Sequence, residues 1–336
     1  MDDLAIITVS TNEARWLGPC LSTVFDHLGD IRADVVVVDN ESTDGTAELV
    51  ATEFPDARVV RSRNHGFSHA NNRGLMTCNA RYVLFLNPDT QILAGTFAEL
   101  VHLMDERPTV GLAGVRQVTP AGRLDATIRR SPNVLRALGD ALGAERLPRR
   151  PEWLGERVLD RAAYDRETTC DWTSGSFMLA RREAIESAGY LDERYFMYAD
   201  ETDLCRRIRM AGWEVRHLPQ MTILHHEGKA GVSPKIMSLG AHSNLLYARK
   251  FFSPVHRALY MGAVMLRHAL RSVYAGRGEP GRLKRAANRR AVATLLGRAP
   301  VPYASITCPV SVLTADPALR EPPVQPEARH VGGGVR

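Results

Sequence analysis

Two short runs, Leu4-Ala5-Ile6-Ile7-Thr8-Val9 and Val35-Val36-Val37-Val38, constrain this chain most. A stretch that is apolar and β-branched on both faces reads as a strand covered on both faces, and such strands belong to parallel sheets packed between helices. The residues between the runs supply a helix over 14–28, because Leu17, Leu21, Val24, Phe25 and Leu28 recur at helical spacing. Ser42 is a good N-cap for a second helix over 46–53. Further strands are expected at 58–61 and 82–86, with a helix at 67–78 between them. This β-α-β-α-β-α-β order implies a Rossmann-like, mostly parallel sheet flanked by helices, with its ligand at the carboxyl ends of the strands.

Past Asn87 the alternation decays. Residues 92–106 read as a helix and 110–118 as a strand, followed by an irregular, partly helical and mobile stretch over 119–170 rich in Arg, Pro and Gly. A strand at 172–180, helices at 181–189 and 202–211, and strands within 213–224 follow. Apolar residues then recur at helical spacing among Arg and His from 241 to about 274, and the proline-containing end, 301–336, is expected to be disordered. The expected division is a catalytic domain over 1–240, with halves at about 1–118 and 119–240, a basic helical appendage over 241–300 and a tail.

Charge is divided unevenly along the chain. Residues 241–300 hold twelve Lys/Arg against one acid, Glu279, a balance of +11, whereas the first 240 residues carry −6. An acidic body with a basic appendage suits chemistry in one region and contact with an anionic surface in another. No run of eighteen uncharged apolar residues is present, and Met1-Asp2-Asp3 lacks the basic start of a secretory signal. The five cysteines are scattered without a CxxC pair, which predicts a reducing cytoplasm and neither a disulfide framework nor a zinc site.

Four polar clusters follow the strands. Asp39-Asn40-Glu41-Ser42-Thr43-Asp44-Gly45 places a carboxylate where a nucleobase imide or ribose hydroxyl would reach it, although these residues also suit a plain turn. Asn64-His65-Gly66-Phe67 leads to Asn71 and Asn72, poor helix formers inside a helix and near its anion-favouring start. Asn87-Pro88-Asp89-Thr90 puts Asp89 where a carboxylate can hold a divalent cation against a diphosphate, or forms an Asx-Pro turn. Asp200-Glu201-Thr202-Asp203 opens a helix, where a carboxylate kept ionised can act as general base. His225-His226 after a final strand can complete the metal site opposite Asp89.

Taken in order, these clusters resemble the family 2 glycosyltransferases of GT-A fold, in particular bacterial rhamnosyltransferase-like members. The resemblance runs through Ser10-Thr11-Asn12-Glu13, the Asp39–Gly45, Asn64–Gly74 and Asn87–Asp89 clusters, Trp172-Thr173-Ser174-Gly175-Ser176-Phe177-Met178 with Arg181-Arg182, and Tyr195-Phe196-Met197-Tyr198 before the acids. It covers residues 4 to about 250.

The resemblance implies a GT-A fold with a C-terminal helical appendage and a divalent cation, Mg²⁺ or Mn²⁺. It implies a nucleotide-sugar site at Ser10, Thr11, Asn12, Asp39, Asn40, Asn64, Asn71, Asn87, Asp89 and Gly175, with Thr11 and Asp39 at base and ribose and Asn71 near the phosphates. Asp89 is the carboxylate that remains where many members have Asp-x-Asp, and His225, or its neighbour His226, is the histidine that approaches the metal. The family's base segment reads Glu-Asp-x-Asp-Leu-Cys, whereas this chain has Asp200-Glu201-Thr202-Asp203-Leu204-Cys205, which leaves Glu201 and Asp200 as the two candidates for the base.

The expected reaction is an inverting single displacement from a dTDP- or UDP-sugar, with a deoxyhexose such as rhamnose favoured, to a glycan, a lipid-linked sugar or a small molecule. Loop 119–170 or segment 228–235 is expected to close over the donor. A nucleotidyltransferase would need a Gly-rich basic loop where Ser10-Thr11-Asn12-Glu13 stands, and a non-enzymatic binding protein would leave the ordered acids without a purpose. A cytoplasmic protein with no nucleic-acid partner is expected, and segment 249–274 reads either as a membrane-surface helix, which would place it on the inner face of the membrane, or as an ordinary packed helix or dimer contact.

Overall fold

The computed structural model describes residues 2–147, 150–226 and 232–303. Its first half alternates as expected: β1 (Asp2–Ser10), α1 (Ala14–Asp26), β2 (Ala33–Asn40), α2 (Thr46–Glu53), β3 (Ala57–Ser62), α3 (Phe67–Met76) and β4 (Ala80–Leu86). The second half holds β5 (Thr90–Ala94), α4 (Phe97–Asp105), β6 (Val110–Val118), α5 (Val134–Ala141), β7 (Thr168–Thr169), β8 (Phe177–Arg181), α6 (Arg182–Ala188), α7 (Asp200–Met210) and β9 (Glu214–His225). Three helices close the described chain: α8 (Pro234–Phe251), α9 (Pro254–Val273) and α10 (Gly278–Leu295).

One sheet carries all these strands in the order β3-β2-β1-β4-β8-β6-β9-β5, with β7 beside β9. Pairing is parallel across β3, β2, β1 and β4 and mixed beyond, where β8 runs antiparallel to both β4 and β6. Register sets Ser10 opposite Asp39 and Asn40 opposite Ser62, so the polar residues after each strand emerge along one edge.

Successive residues of a strand point to opposite faces, which explains why fully apolar runs are needed here. Leu4, Ile6, Val35, Val37 and Leu84 pack under α1 and α4, while Ile7, Val36, Val38, Val83 and Phe85 meet α3, α6 and α7 on the other side. Each such fully buried side chain contributes about 1.5–3 kcal/mol relative to exposure. A third cluster joins α5 to α8 and α9 through Ala137, Ala248, Tyr260 and Val264.

Several local expectations are corrected. Residues 92–106 are not one helix. Gly95 (φ +85°) turns the chain where a Cβ would lie 2.5 Å from the Gln220 carbonyl oxygen, separating β5 from α4, and Thr96 with Glu99 forms a capping box that starts α4 afresh. Ser42 does not cap α2: the N-cap is Gly45 in the left-handed region, and Asp44 accepts from the Thr46 amide and hydroxyl. Residues 172–176 are loop, so that strand begins at Phe177. The helix expected from Thr202 starts at Asp200, putting both acids in its first turn. The helical segment 249–274 is broken at Ser253-Pro254, where Ser253 caps α9 with Pro254 at its first position. Residues 304–336 of the expected tail lie outside the described residues.

Candidate active site

A cleft of about 850 Å³ opens along the edge where β1, β2 and β4 end. Thr11, Asn40, Asn64, Asn87, Asp89, Gly175, Asp200, Glu201 and His225 all line it, bringing together residues up to 214 positions apart in the chain. Asn40 donates from Nδ2 to Thr11 Oγ1 (3.2 Å) and to Asn64 Oδ1 (3.1 Å). Its own buried Oδ1 has no hydrogen-bond partner among the described residues. A buried acceptor left over at a cleft wall is suited to an incoming N–H or O–H donor.

The remaining nucleotide-sugar candidates, Ser10, Asn12, Asp39 and Asn71, are not among the residues lining the cleft. Ser10 is fully buried. Asn12, held at φ 56°, accepts from the Thr43 amide at 2.8 Å, and Asp39 accepts from the Ser42 amide at 3.0 Å. Both therefore brace the loops after β1 and β2. Asn71 donates to the Phe67 carbonyl one helical turn back. Asn72 donates to the Leu191 carbonyl and to Glu193, and accepts from the Leu191 amide. The two asparagines thus have structural partners within α3 and across to the 191–193 loop, an outcome that local helix propensity could not reveal.

At one end of the cleft His225 Nε2 lies 3.5 Å from Asp89 Oδ1. The pairing of β5 with β9 sets this distance, because Thr90 stands opposite His225. His226 turns away and packs its ring 4.4 Å from that of Trp16, while its amide donates to the Asp89 carbonyl. Of the two histidines, His225 is thus the one beside the carboxylate. No group of three or more His, Cys, Asp or Glu poised for a metal occurs among the described residues. One carboxylate with one imidazole still fits a cation that takes its other ligands from phosphate oxygens and water, and an imidazole suits Mn²⁺ better than Mg²⁺.

The acids at the opposite wall stand at the start of α7. Tyr198 and Ala199 before them both adopt left-handed backbone, at φ 70° and 59°. Such conformations cost about 1–3 kcal/mol each and persist where surrounding packing imposes them. Gly66 (φ +102°) is part of that packing: a Cβ there would lie 2.4 Å from the Phe196 carbonyl oxygen, which accepts from the Phe67 amide.

Burial, and then the negative charge of Glu201, push the Asp200 carboxyl well above the ordinary range. Burial raises Glu201 as well, while a hydrogen bond with Asp200 and the charge of Arg129 oppose that rise. The two carboxyl groups are hydrogen-bonded to each other, so a proton is held between them. Deeper in α7, Asp203 is fully buried and ion-paired to Arg207 (2.6 Å) and Lys250 (2.7 Å).

Four further residues lie at the cleft or behind it. Lys235 of α8 and Tyr303 line the cleft, with the Lys235 ammonium 4.1 Å from the Tyr303 ring, which itself stacks on Phe196 at 3.9 Å. Of the expected closing segment 228–235, residues 228–231 lie outside the described residues, whereas Ser233 caps α8. On the far side of Glu201 a second chamber of about 330 Å³ is lined by Arg129 and Glu156 among others. Part of the irregular stretch 119–170, with α5, α8 and α9, builds this chamber. Arg129 and Glu156 come from a segment with no strand-end motif, so the sequence offered no signal for these two, whereas Trp172, Tyr198 and Glu201 on the same wall belong to motifs already named.

The profile of "Glycosyl transferase family 2" matches residues 5–187, more than half of the chain. A relative from Mycobacterium tuberculosis, N-acetylglucosaminyl-diphospho-decaprenol L-rhamnosyltransferase, is 31% identical over 225 residues, covering 63% of this chain and 73% of the relative. The rhamnosyltransferase WbbL of Escherichia coli is 24% identical, covering 66% of this chain and 82% of its own. Among solved structures the fold is similar to a mannosyltransferase from Pyrobaculum calidifontis in complex with GDP-Man and Mn²⁺ (18% identity, TM-score 0.50, 89% of each chain). It is also similar to GalNAc-T7 with UDP, GalNAc and Mn²⁺ (14% identity, TM-score 0.57, 86% of this chain and 54% of that one). With a Rossmann-like half, a cleft at its strand ends and a matching profile across most of that region, the chain belongs to glycosyl transferase family 2.

Proposed function

We propose that the protein catalyses inverting transfer of a rhamnosyl group from dTDP-rhamnose to a hydroxyl of a lipid-linked sugar diphosphate. The observation that carries this reading is the position of Glu201, whose side chain borders both the cleft holding Asp89 and His225 and the separate chamber behind it. A base in that position can take a proton from an acceptor on one side while the donor lies on the other. In this reading residues 1–118 provide most of the donor site. Residues 119–240 provide the base and, with helices from 241–300, the acceptor side.

Glu201 removes the acceptor proton as the hydroxyl oxygen attacks the anomeric carbon, and the bond to the nucleoside diphosphate breaks on the opposite face. Asp200 keeps its own proton and hydrogen-bonds to Glu201, holding the base in place. Asn40 and Asn64 orient the nucleoside, and Asp89 and His225 would hold a divalent cation. Such a cation, when bound, neutralises charge gathering on the departing diphosphate. The choice of rhamnose and of a lipid-linked acceptor rests on the relatives from M. tuberculosis and E. coli.

Among the described residues no helix is long and apolar enough to cross a membrane. For reaching a lipid-linked acceptor, we assign α9 as a helix lying on an anionic bilayer surface. Val255, Leu259, Leu266 and Val273 are all exposed, at 69%, 55%, 39% and 73%. At about 100° per residue they fall on one face of the helix, roughly 100–140° around from Tyr260 and roughly 140–180° from Val264, which line the chamber. The +11 balance of residues 241–300 complements an acidic lipid surface.

Turnover of dTDP-rhamnose and of UDP-sugars, with a short-chain lipid diphosphate of N-acetylglucosamine, in the presence of Mn²⁺ or a chelator, tests the reading. Rhamnosyl transfer that stops on chelation supports it. Transfer from UDP-sugars alone would reject the donor assignment, and unchanged transfer under chelation would reject the metal.

A further inference from the structure

We infer that the chamber behind Glu201 is a binding site for one uncharged sugar ring of the acceptor, read by Arg129 and Glu156. The inference rests on Glu201 being the base, because that is what gives the chamber its place in the reaction.

The chamber's size sets the first limit. Its volume of about 330 Å³ lies at the low end of the roughly 300–1,000 Å³ typical of small-molecule sites, which suits a single ring rather than an extended glycan.

Its charges set the second limit. The cations Arg267 and Arg271 are already committed to Asp140, at 2.8 and 2.7 Å. Of the other two arginines on the wall, Arg157 lies 4.0 Å from Glu145 and Arg129 faces Glu156 and Glu201, so the four arginines are matched by four carboxylates, Asp140, Glu145, Glu156 and Glu201, and no surplus of positive charge awaits a phosphate group. A sugar ring instead carries hydroxyls that both donate and accept, and the chamber presents both kinds of partner.

Arg129 is the central donor. Its guanidinium carbon lies 5.2 Å from the Trp172 ring centroid, and its buried Nε has no hydrogen-bond partner among the described residues. Its charge reaches Glu156 and Glu201 alike. Burial pushes the Glu156 carboxyl up to about 7, so near neutral pH it can donate to a hydroxyl as well as accept from one. Tyr260 and Val264 of α9 complete the wall with apolar surface for the ring's C–H groups. The site is assembled from the 129–157 stretch and the C-terminal helices, so acceptor choice is encoded outside the sheet that binds the donor.

The experiment uses the full chain and a panel of free hexoses and N-acetylhexosamines, with inorganic pyrophosphate as the anionic probe. Binding is read by ligand-observed saturation-transfer NMR, and nucleotide affinity is measured in parallel with UDP or dTDP and Mn²⁺. At least one monosaccharide is expected to bind wild type. Arg129→Met and Glu156→Gln are each expected to weaken that binding about tenfold or more, as loss of a polar partner to a sugar hydroxyl does, while nucleotide affinity stays within about twofold. Glu156→Gln keeps the side chain's shape and guards against a folding defect in the arginine variant. Absence of monosaccharide binding, or binding indifferent to both substitutions, would overturn the inference, as would pyrophosphate binding that depends on Arg129. Arg129-dependent sugar binding in a protein that transfers nothing would leave the chamber standing and reject the proposed reaction instead.

Discussion

Lys250 on α8 places its ammonium 2.7 Å from Asp203 in the first turn of α7 and 2.7 Å from Asp192 in the loop that precedes it. Burial alone would raise the Asp192 carboxyl, but the hydrogen bonds from Arg194 and Lys250 outweigh it and hold the group well below the usual carboxylate range. One residue of the basic appendage thus fastens the helix whose first turn carries Asp200 and Glu201.

Lys250→Met should therefore destabilise the fold by about 2 kcal/mol, the scale of losing charge-assisted hydrogen bonds, because Asp192 and Asp203 lose a shared cation but keep Arg194 and Arg207. Chemical denaturation would measure it. A change below about 0.5 kcal/mol, typical of a surface pair, would show that the clamp contributes little.

Glu201→Gln should lower the transfer rate by about 10²–10⁴-fold with donor affinity nearly unchanged, the range expected for loss of a general base. Near-wild-type turnover would remove Glu201 from that role.

The pH profile separates the two acids. In the proposed reaction activity needs ionised Glu201, so it should fall as pH drops through that group's pKa, and a raised pKa brings the fall at a higher pH than for an ordinary glutamate. The hydrogen bond from Asp200 opposes this rise, so Asp200→Ala should move the acid limb of the rate profile further up, whereas Asp200→Asn, which can still donate, should leave it closer to wild type. Identical acid limbs in all three proteins would contradict the arrangement.

Asp89→Asn should raise the Mn²⁺ concentration needed for half-maximal nucleotide binding by about two orders of magnitude, and His225→Gln should do so by a smaller factor. Titration of nucleotide affinity against Mn²⁺ is the check, with His226→Gln expected to leave it near wild type because that ring packs on Trp16.

Gly66→Ala should cost about 2–4 kcal/mol and impair donor binding, because the position combines φ +102° with a carbonyl oxygen where the Cβ would go. Thermal unfolding with and without nucleotide would show both effects. Gly18→Ala, with open space around its Cβ, is the matched control and should be neutral or slightly stabilising.

The parallel half of the fold was legible in the chain because buried strands such as Val35–Val38 need apolar residues on both faces, a pattern readable without partners. The cleft residues were legible for a related reason, since Asn40 ends β2, Asn87 and Asp89 come just after β4, and parallel strands bring their ends together. Tertiary structure alone decided the rest. Only the pairing of β5 with β9 selects His225 over His226 at Asp89, and only the 191–193 loop gives Asn72 its partners. The break at Gly95 depends on a carbonyl from Gln220, about 125 residues away, and no local propensity contains that clash. The chamber behind Glu201 is the extreme case, since α5, α8 and α9 meet there through contacts spanning more than a hundred residues. Periodicity encodes what each segment does with its own two faces. Which distant side chains share a wall follows from packing, and that is where Arg129, Glu156 and Lys250 acquired their positions.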